Sequence, residues 1–425
     1  MDFLLTSIGS HGDIHPFVGL GAELKKRGHR VTLLVNEYFE PLVRKVGLDF
    51  LPLGSAKIFE ELSKNRELWN GQKGTLAVLS SLNEAIPVQF DAVMKRAIKG
   101  ETTVVASSLC LGARLAQDVT GLALATVHLS PAVFRSYIKP PKFAGAYTPR
   151  WMPRSMVRNL FRWADRFIVD PILLPTINPI RRQYNLPPVS GVFDSWIHSP
   201  DLVLGLFPEW FAPPVEDWPK QTVLTGFPLW DERDVQDLSA DMHNWLNEDN
   251  PPLVFTPGSA MHHAHEFFEA AVDACVRTGR RGLLLTRHRE HLPANLPPLV
   301  RYEEYVPFSS LLPRVAAIVH HGGIGTCAQG LSAGIRQIIM PMAHDQLDNA
   351  DRLQKLGVAE VLPRRKFTGP RLARLVRKMF SDRSYYVRCH WVSEWFHKER
   401  ALIDTAVVLE DFAAAHIRSP VTISA

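Results

Sequence analysis

Short apolar runs alternate with amphipathic stretches over the first 130 residues. Phe3 to Ile8 reads as a buried strand and Phe17 to Arg27 as a helix, while Val31 to Val35, Thr103 to Ala106 and Ala123 to Val127 read as further strands. Gly28 stands just past the helix, where a left-handed cap favours glycine. This rhythm predicts a parallel sheet covered by helices. It resumes at Leu253, with strands at Leu253 to Thr256, Gly282 to Thr286, Val300 to Tyr302, Ala317 to His320 and Gln337 to Met340. The intervening helices are expected at His265 to Thr278, Thr326 to Ala333 and Leu347 to Leu356. From Pro131 to Asp201 the alternation gives way to a Pro-, Trp- and Arg-rich segment, either a lid over a binding site or a long surface excursion. Asp231 to Asp249 holds seven acidic residues against one basic and reads as a solvated linker, with a short helix capped by Ser239.

The chain is therefore expected to be α/β, with two Rossmann-like domains facing across a cleft. The boundaries are 1–226 for the first domain, 227–250 for the linker, 251–384 for the second domain and 385–425 for a helical tail. The tail carries Trp391, Trp395 and Phe396, which are expected to pack it back onto the body.

Composition narrows the class. Of 425 residues, 46% are hydrophobic and 21% charged, which excludes a disordered or fibrous chain. A net charge of +5 suits an anionic ligand or an acidic membrane surface and falls short of a nucleic-acid-binding tail. Cys110, Cys275, Cys327 and Cys389 lie far apart without a CxxC pair, so neither a disulfide framework nor a zinc ribbon is encoded and a reducing cytoplasm fits. The first residues lack a basic leader and cleavage site, and no apolar run approaches the ~20 residues of a membrane span. Peripheral contact with the inner leaflet stays open, as does the oligomeric state.

The segment His320-His321-Gly322-Gly323-Ile324-Gly325-Thr326 ends one strand and opens a helix. Glycines there admit a ligand close to the backbone, and the amides of a helix start favour an anion, so a phosphate is expected, with His320 and Thr326 donating to it. Asp345 and Gln346 follow the next strand; they suit sugar hydroxyls, although Asp345 could equally cap the following helix. Tyr305 and Val306 offer an aromatic face and backbone polar groups, and Gly258 and Ser259 close the first strand of the second domain. Taken alone, Tyr305 reads as core or rim. In the first domain, Gly9-Ser10-His11-Gly12-Asp13-Ile14-His15-Pro16 is spaced G-x-x-G, so the dinucleotide fingerprint is missing. The loop supplies a carboxylate, Asp13, and two imidazoles, His11 and His15; Asp13 reads either as a helix cap or as a general base facing the other domain. The histidines at 262, 263 and 265, and at 288 and 291, lack the spacing of a metal site.

Together these motifs resemble those of the nucleotide-sugar glycosyltransferases of GT-B fold, the UDP-glycosyltransferase superfamily, especially its bacterial sterol, antibiotic and rhamnosyl transferases. That resemblance covers both halves of the chain. It implies a UDP- or dTDP-sugar as co-substrate, with no other cofactor and no metal. Tyr305 and Val306 would hold the base, and Gly12, Ser259, His320, Gly322, Gly323, Gly325 and Thr326 would belong to the donor site around the diphosphate. Asp345 and Gln346 would grip the sugar. Asp13, with His11 or His15 sharing its task, would take the proton from an acceptor hydroxyl in an inverting displacement. The apolar density over 130–180 suggests a lipid, sterol or polyketide acceptor. A nucleotide-sugar epimerase of the same fold and a catalytically silent sugar-nucleotide binding subunit are the alternatives.

Overall fold

A computed structural model describes residues 1–64, 71–143, 148–149, 151–232, 238–258, 264–396 and 400–417. The first sheet has seven parallel strands: β1 (Asp2–Thr6), β2 (Arg30–Val35), β3 (Asp49–Pro52), β4 (Thr102–Ser107), β5 (Leu124–His128), β6 (Leu202–Gly205) and β7 (Thr222–Leu224). Their order is β3-β2-β1-β4-β5-β6-β7. The second sheet holds β8 (Leu253–Thr256), β9 (Gly282–Leu285), β10 (Val300–Glu303), β11 (Ala317–His320), β12 (Arg336–Ile339) and β13 (Ala359–Val361), in the order β10-β9-β8-β11-β12-β13. Every pairing is parallel. Strand order reverses between β1 and β4 in one sheet and between β8 and β11 in the other, and ligands of such sheets bind beyond the carboxyl ends of those strands.

Central strands buried on both faces read as continuous apolar runs, which is why β8 and β11 match the expected spans to the residue. Four strands were not expected. Three are edges, β3, β7 and β13, and β3 ends on Pro52, a residue that only an edge tolerates. The fourth, β6, follows the irregular segment that obscured it. Also unforeseen is the helix Gly71–Arg96, which carries Pro87. It packs closely on the helix Leu111–Thr120, where a Cβ on Gly112 would lie 2.5 Å from the Ile86 carbonyl oxygen and 2.6 Å from the Phe90 nitrogen. Backbone cannot yield there as a side chain would. Gly112→Val is thus expected to cost about 3 kcal/mol through overpacking; a fall in the urea midpoint at constant slope checks it, and an unchanged midpoint would show that the two helices separate freely.

Two helix starts differ from expectation, and both matter to the site. The first helix runs His11–Lys26, so His11, Gly12, Asp13 and His15 belong to its opening turns rather than to a loop. The later helix runs Ile324–Ser332 with Gly323 as its N-cap. Within 131–201, the helices Arg154–Ala164 and Asp170–Gln183 flank a wider turn at Asp165–Val169, and the first helix and the turn form a wall of the cleft. In the linker, Ser239 caps the helix Ala240–Leu246 by accepting from the Met242 amide.

The tail forms two helices. Arg383–Phe396 packs Cys389, Val392 and Phe396 into an apolar cluster with Phe211 of the first lobe, Phe227 of the linker, and Cys327 and Leu331 of the second lobe. Trp395 joins it 4.8 Å from the Trp210 ring, whereas Trp391 is exposed, contrary to expectation. Ala401–Ile417 crosses back, and Ala406, Leu409 and Ala413 complete the core beneath the first sheet. Glu410 pairs there with Arg27 at 2.6 Å and His29 at 2.6 Å.

Candidate functional site

Both sheets point their switch-point strand ends into one cleft of about 1540 Å³. Ser7 to Pro16 and Ser107 to Leu109 border it from the first lobe, and Thr256, Gly258, Tyr305 and 323–326 border it from the second.

Asp13 occupies the third position of its helix behind the N-cap Ser10. Its Oδ2 accepts the Ser10 amide at 2.7 Å and the Ser10 hydroxyl at 3.1 Å. The cap and cleft readings are therefore compatible: one carboxylate oxygen braces the helix start while the residue lines the cleft. Gly9, at φ 123°, makes the fit possible, since a Cβ there would stand 2.3 Å from Oδ2. Burial pushes the Asp13 carboxyl up to about 6; the Ser10 hydrogen bonds oppose that shift, and the Asp345 carboxyl of the opposite lobe adds to it. Asp13 and Asp345 line the same cleft from opposite lobes.

The two imidazoles near Asp13 are engaged elsewhere. His11 lies with its Nε2 2.8 Å from Arg287 Nη1, and as a permanent donor Arg287 makes that nitrogen the acceptor. Burial holds His11 down at about 3, with Arg287 and His15 acting in the same sense, so it is a neutral ring already bonded across the cleft. His15 packs edge-on to Trp230 of the linker, its Nε2 3.6 Å from Glu232 Oε1. Both rings nevertheless line the same cleft as Asp13.

In the second lobe, the expected contact from His320 is corrected. Its ring is fully buried; Nε2 sits 2.9 Å from Gln337 Oε1, and Nδ1 accepts the Gly322 amide at 3.1 Å. Strand alternation puts His320 on the same face of β11 as Ile318, against β12, and both nitrogens are occupied there. Gly322 also lies behind the cleft wall: at φ 94°, a Cβ on it would meet Ile339 Cγ2 at 2.8 Å.

The imidazole facing the cleft is the next one, His321. It is wedged between glycines, for a Cβ on Gly323 would fall 2.5 Å from its Nε2 and one on Gly258 would fall 2.9 Å from its Cε1. Its Nδ1 is buried without a hydrogen-bond partner, and burial lowers the ring to about 4. Beyond it, Gly323, Gly325 and Thr326 line the cleft at the helix start, and nothing approaches the position of a Gly325 Cβ. An orphaned imidazole nitrogen, unblocked helix amides and a hydroxyl form a cradle suited to an oxyanion. Ser259 lies outside the described residues, as do His262 and His263; Gly258, at φ 102°, lines the same wall.

Asp345 occupies the N-cap position of the helix Gln346–Leu356, but its side chain makes no capping bond. Its Oδ2 accepts Asn349 Nδ2 at 2.8 Å, and burial raises its carboxyl while Asn349 opposes the shift. Gln346 turns its carbonyl back to the Met342 amide at 2.8 Å and the Ala343 amide at 3.2 Å, leaving its amide nitrogen as the group for the cleft. Tyr305 and Val306 form the far wall; the Tyr305 hydroxyl accepts the Glu232 amide at 3.4 Å, and the Arg287 guanidinium stands 5.8 Å from the ring centre. Gly12 lies on the exposed first turn of its helix, opposite these groups.

Two further residues bind the halves of the site together. Arg287, two positions beyond β9, reaches His11 and the Tyr38 hydroxyl of the other lobe at 3.3 Å. Asn349 is wholly buried and also donates to the Gly322 carbonyl at 3.0 Å, while Ser130 of the first lobe lies 3.4 Å from its Oδ1. Its spacing of four from Asp345 on one helix was the available sequence signal. Among the described residues, no group of three or more His, Cys, Asp or Glu side chains is placed to hold a metal ion.

The fold and the paired strand-end clefts define the class as GT-B. Comparison with known proteins carries this further. Residues 3–119 match the glycosyltransferase family 28 N-terminal domain, and residues 282–395 match the erythromycin biosynthesis protein CIII-like C-terminal domain. The chain is 29% identical to an O-mycaminosyltylonolide 6-deoxyallosyltransferase of Streptomyces fradiae, over 97% of this chain and 98% of that one. It is 28% identical to glycosyltransferase GtfE of Amycolatopsis orientalis, over 84% and 85% of the two chains. Solved structures with the same fold include the glycotransferase of kitacinnamycin, at a TM-score of 0.74 and 19% identity over 97% and 99% of the chains. Another is glycosyltransferase VinC in complex with DTDP, at 0.66 and 19% over 98% and 100%. These matches support a member of the UDP-glycosyltransferase superfamily that acts as a hexosyltransferase.

Proposed function

We propose that the enzyme transfers a hexosyl unit, with inversion, from a dTDP- or UDP-sugar to a hydroxyl of an apolar acceptor, with Asp13 as general base. The observation that carries this reading is the place of Asp13: a half-buried carboxyl raised by desolvation to about 6, in the cleft that the oxyanion cradle of the second lobe and an apolar chamber of the first both border. Leu79, Leu82, Val133, Phe161 and Ile168 line that chamber. Asp13 takes the proton as the acceptor O–H bond breaks, and the oxygen forms a bond to the anomeric carbon. The bond from that carbon to the diphosphate oxygen breaks, and its electron pair leaves with the diphosphate. His321 and the amides opening the helix Ile324–Ser332 receive that charge. Asp345 and the Gln346 amide hold sugar hydroxyls, and Tyr305 and Val306 hold the base. A solved GT-B neighbour in complex with DTDP supports a pyrimidine nucleoside diphosphate.

Ligand linkage tests the donor assignment. Thymidine or uridine diphosphate at about a hundred times its dissociation constant adds about 2.7 kcal/mol to unfolding, whereas GDP and NAD should leave the midpoint where it is. Stabilisation by NAD alone would defeat the assignment. Product anomers resolved by NMR against the donor test the inversion, and retention would exclude a single displacement.

A further inference from the structure

We propose that the mouth of the apolar chamber is a docking surface for a bilayer with anionic headgroups. Ile58, Leu62, Leu76, Val88 and Trp163 line the chamber, yet each is at least 39% exposed, so they form its rim. The helix Arg154–Ala164 borders that rim. It turns Val157 and Phe161 inward and presents Arg154, Arg158, Arg162 and, one turn on, Arg166 at a spacing of four to solvent. None of these four arginines is in an ion pair among the described residues; Asp165, the one acidic side chain from Trp151 to Val169, is buried and paired with Arg135 at 2.5 Å. Along the same stretch Trp151, Met156 and Phe167 are exposed by 78%, 53% and 58%, and Trp163, between Arg162 and Arg166, by 53%.

An ordinary solvated helix face does not carry large apolar groups; tryptophan, phenylalanine, methionine and arginine are enriched at protein interfaces too, but there a row of four arginines without ion pairs would need an equally acidic partner face. Exposed aromatics interleaved with arginine suit a headgroup layer, where rings sit at the acyl boundary and guanidinium groups reach phosphates. The unneutralised positive charge selects an anionic surface. A second copy docked through this patch on a two-fold axis would bring arginine against arginine. Among the described residues no helix is long and apolar enough to cross a membrane, so contact would be peripheral. The inference deepens the acceptor reading: an apolar acceptor would pass from the bilayer through this rim.

The test uses the full chain without any sugar donor, floated with phosphatidylcholine vesicles and with vesicles of roughly one-third phosphatidylglycerol. Binding is expected to the anionic vesicles, weakening with salt. Converting all four arginines to glutamine should lower partitioning by about 100-fold or more, and Trp151→Ser with Met156→Ser and Phe167→Ser by about tenfold. Because these side chains are exposed and outside the cleft, the unfolding midpoint should hold. Equal binding to neutral vesicles, no binding, unchanged binding by the arginine variant, or a dimer in solution abolished by these substitutions would each overturn the proposal. A chain that floats but transfers no sugar overturns the proposed function instead.

Discussion

Asp13→Asn is expected to lower kcat by about 10²- to 10⁴-fold, the usual contribution of a positioned general base, while thymidine diphosphate binds as before. Asparagine keeps an oxygen for the Ser10 amide, so the helix start is retained. The pH dependence gives a second readout. With the carboxyl at about 6, kcat/KM should rise as pH passes through that value and then level, and the variant should lose the limb. Stability runs the opposite way. Burial raises this acid from its ordinary 3.8, so the folded chain binds more protons than the unfolded one between about 4 and 6, and its contribution to stability is lost as pH rises through that window. Above pH 7 the asparagine variant is expected to melt higher than the parent. Full turnover by the variant would remove Asp13 from the mechanism.

The second large effect is expected at Gly323→Val. The new Cβ would lie 2.5 Å from His321 Nε2, and the ring has little room to retreat, because it also packs against the Gly258 backbone, where even an added Cβ would fall 2.9 Å from its Cε1. The side chain also intrudes on the helix N-cap that bounds the oxyanion cradle. Thymidine diphosphate affinity should fall at least about 100-fold, or about 2.7 kcal/mol, by calorimetry. The site lies at a strand end, so the sheet should survive, and an unchanged circular dichroism spectrum checks this. Affinity equal to the parent's would place the diphosphate elsewhere.

How far the sequence reached depended on what fixes each feature. The glycine turn after β11 was legible because its chemistry is local: positive φ and close approach demand glycine. Which histidine of the pair faces the ligand depends on the phase of the pleat where β11 stops, and that phase put His320 against Gln337 and His321 in the cleft. Asp13 was found, but its helix was expected to begin at Phe17, whereas the Ser10–Asp13 bond opens it four residues past β1 and carries it through Pro16. The chamber wall of Gly71–Arg96 was missed because its period is diluted by serines, Asn83 and Pro87, and its burial comes from partners distant in sequence. Arg287 and Asn349 act between the lobes, a relation that no local pattern encodes.

The return of the segment Ala401–Ile417 to the first sheet has a consequence for building hybrids. The first lobe is covalently incomplete as a contiguous stretch, and a graft that exchanges everything after the linker also swaps a piece of that lobe's interior. Chimaeras that trade donor preference between relatives should therefore be cut twice, once near Gly226 and once within 397–400, so that Leu409 and Ala413 stay with the half they were selected to fill.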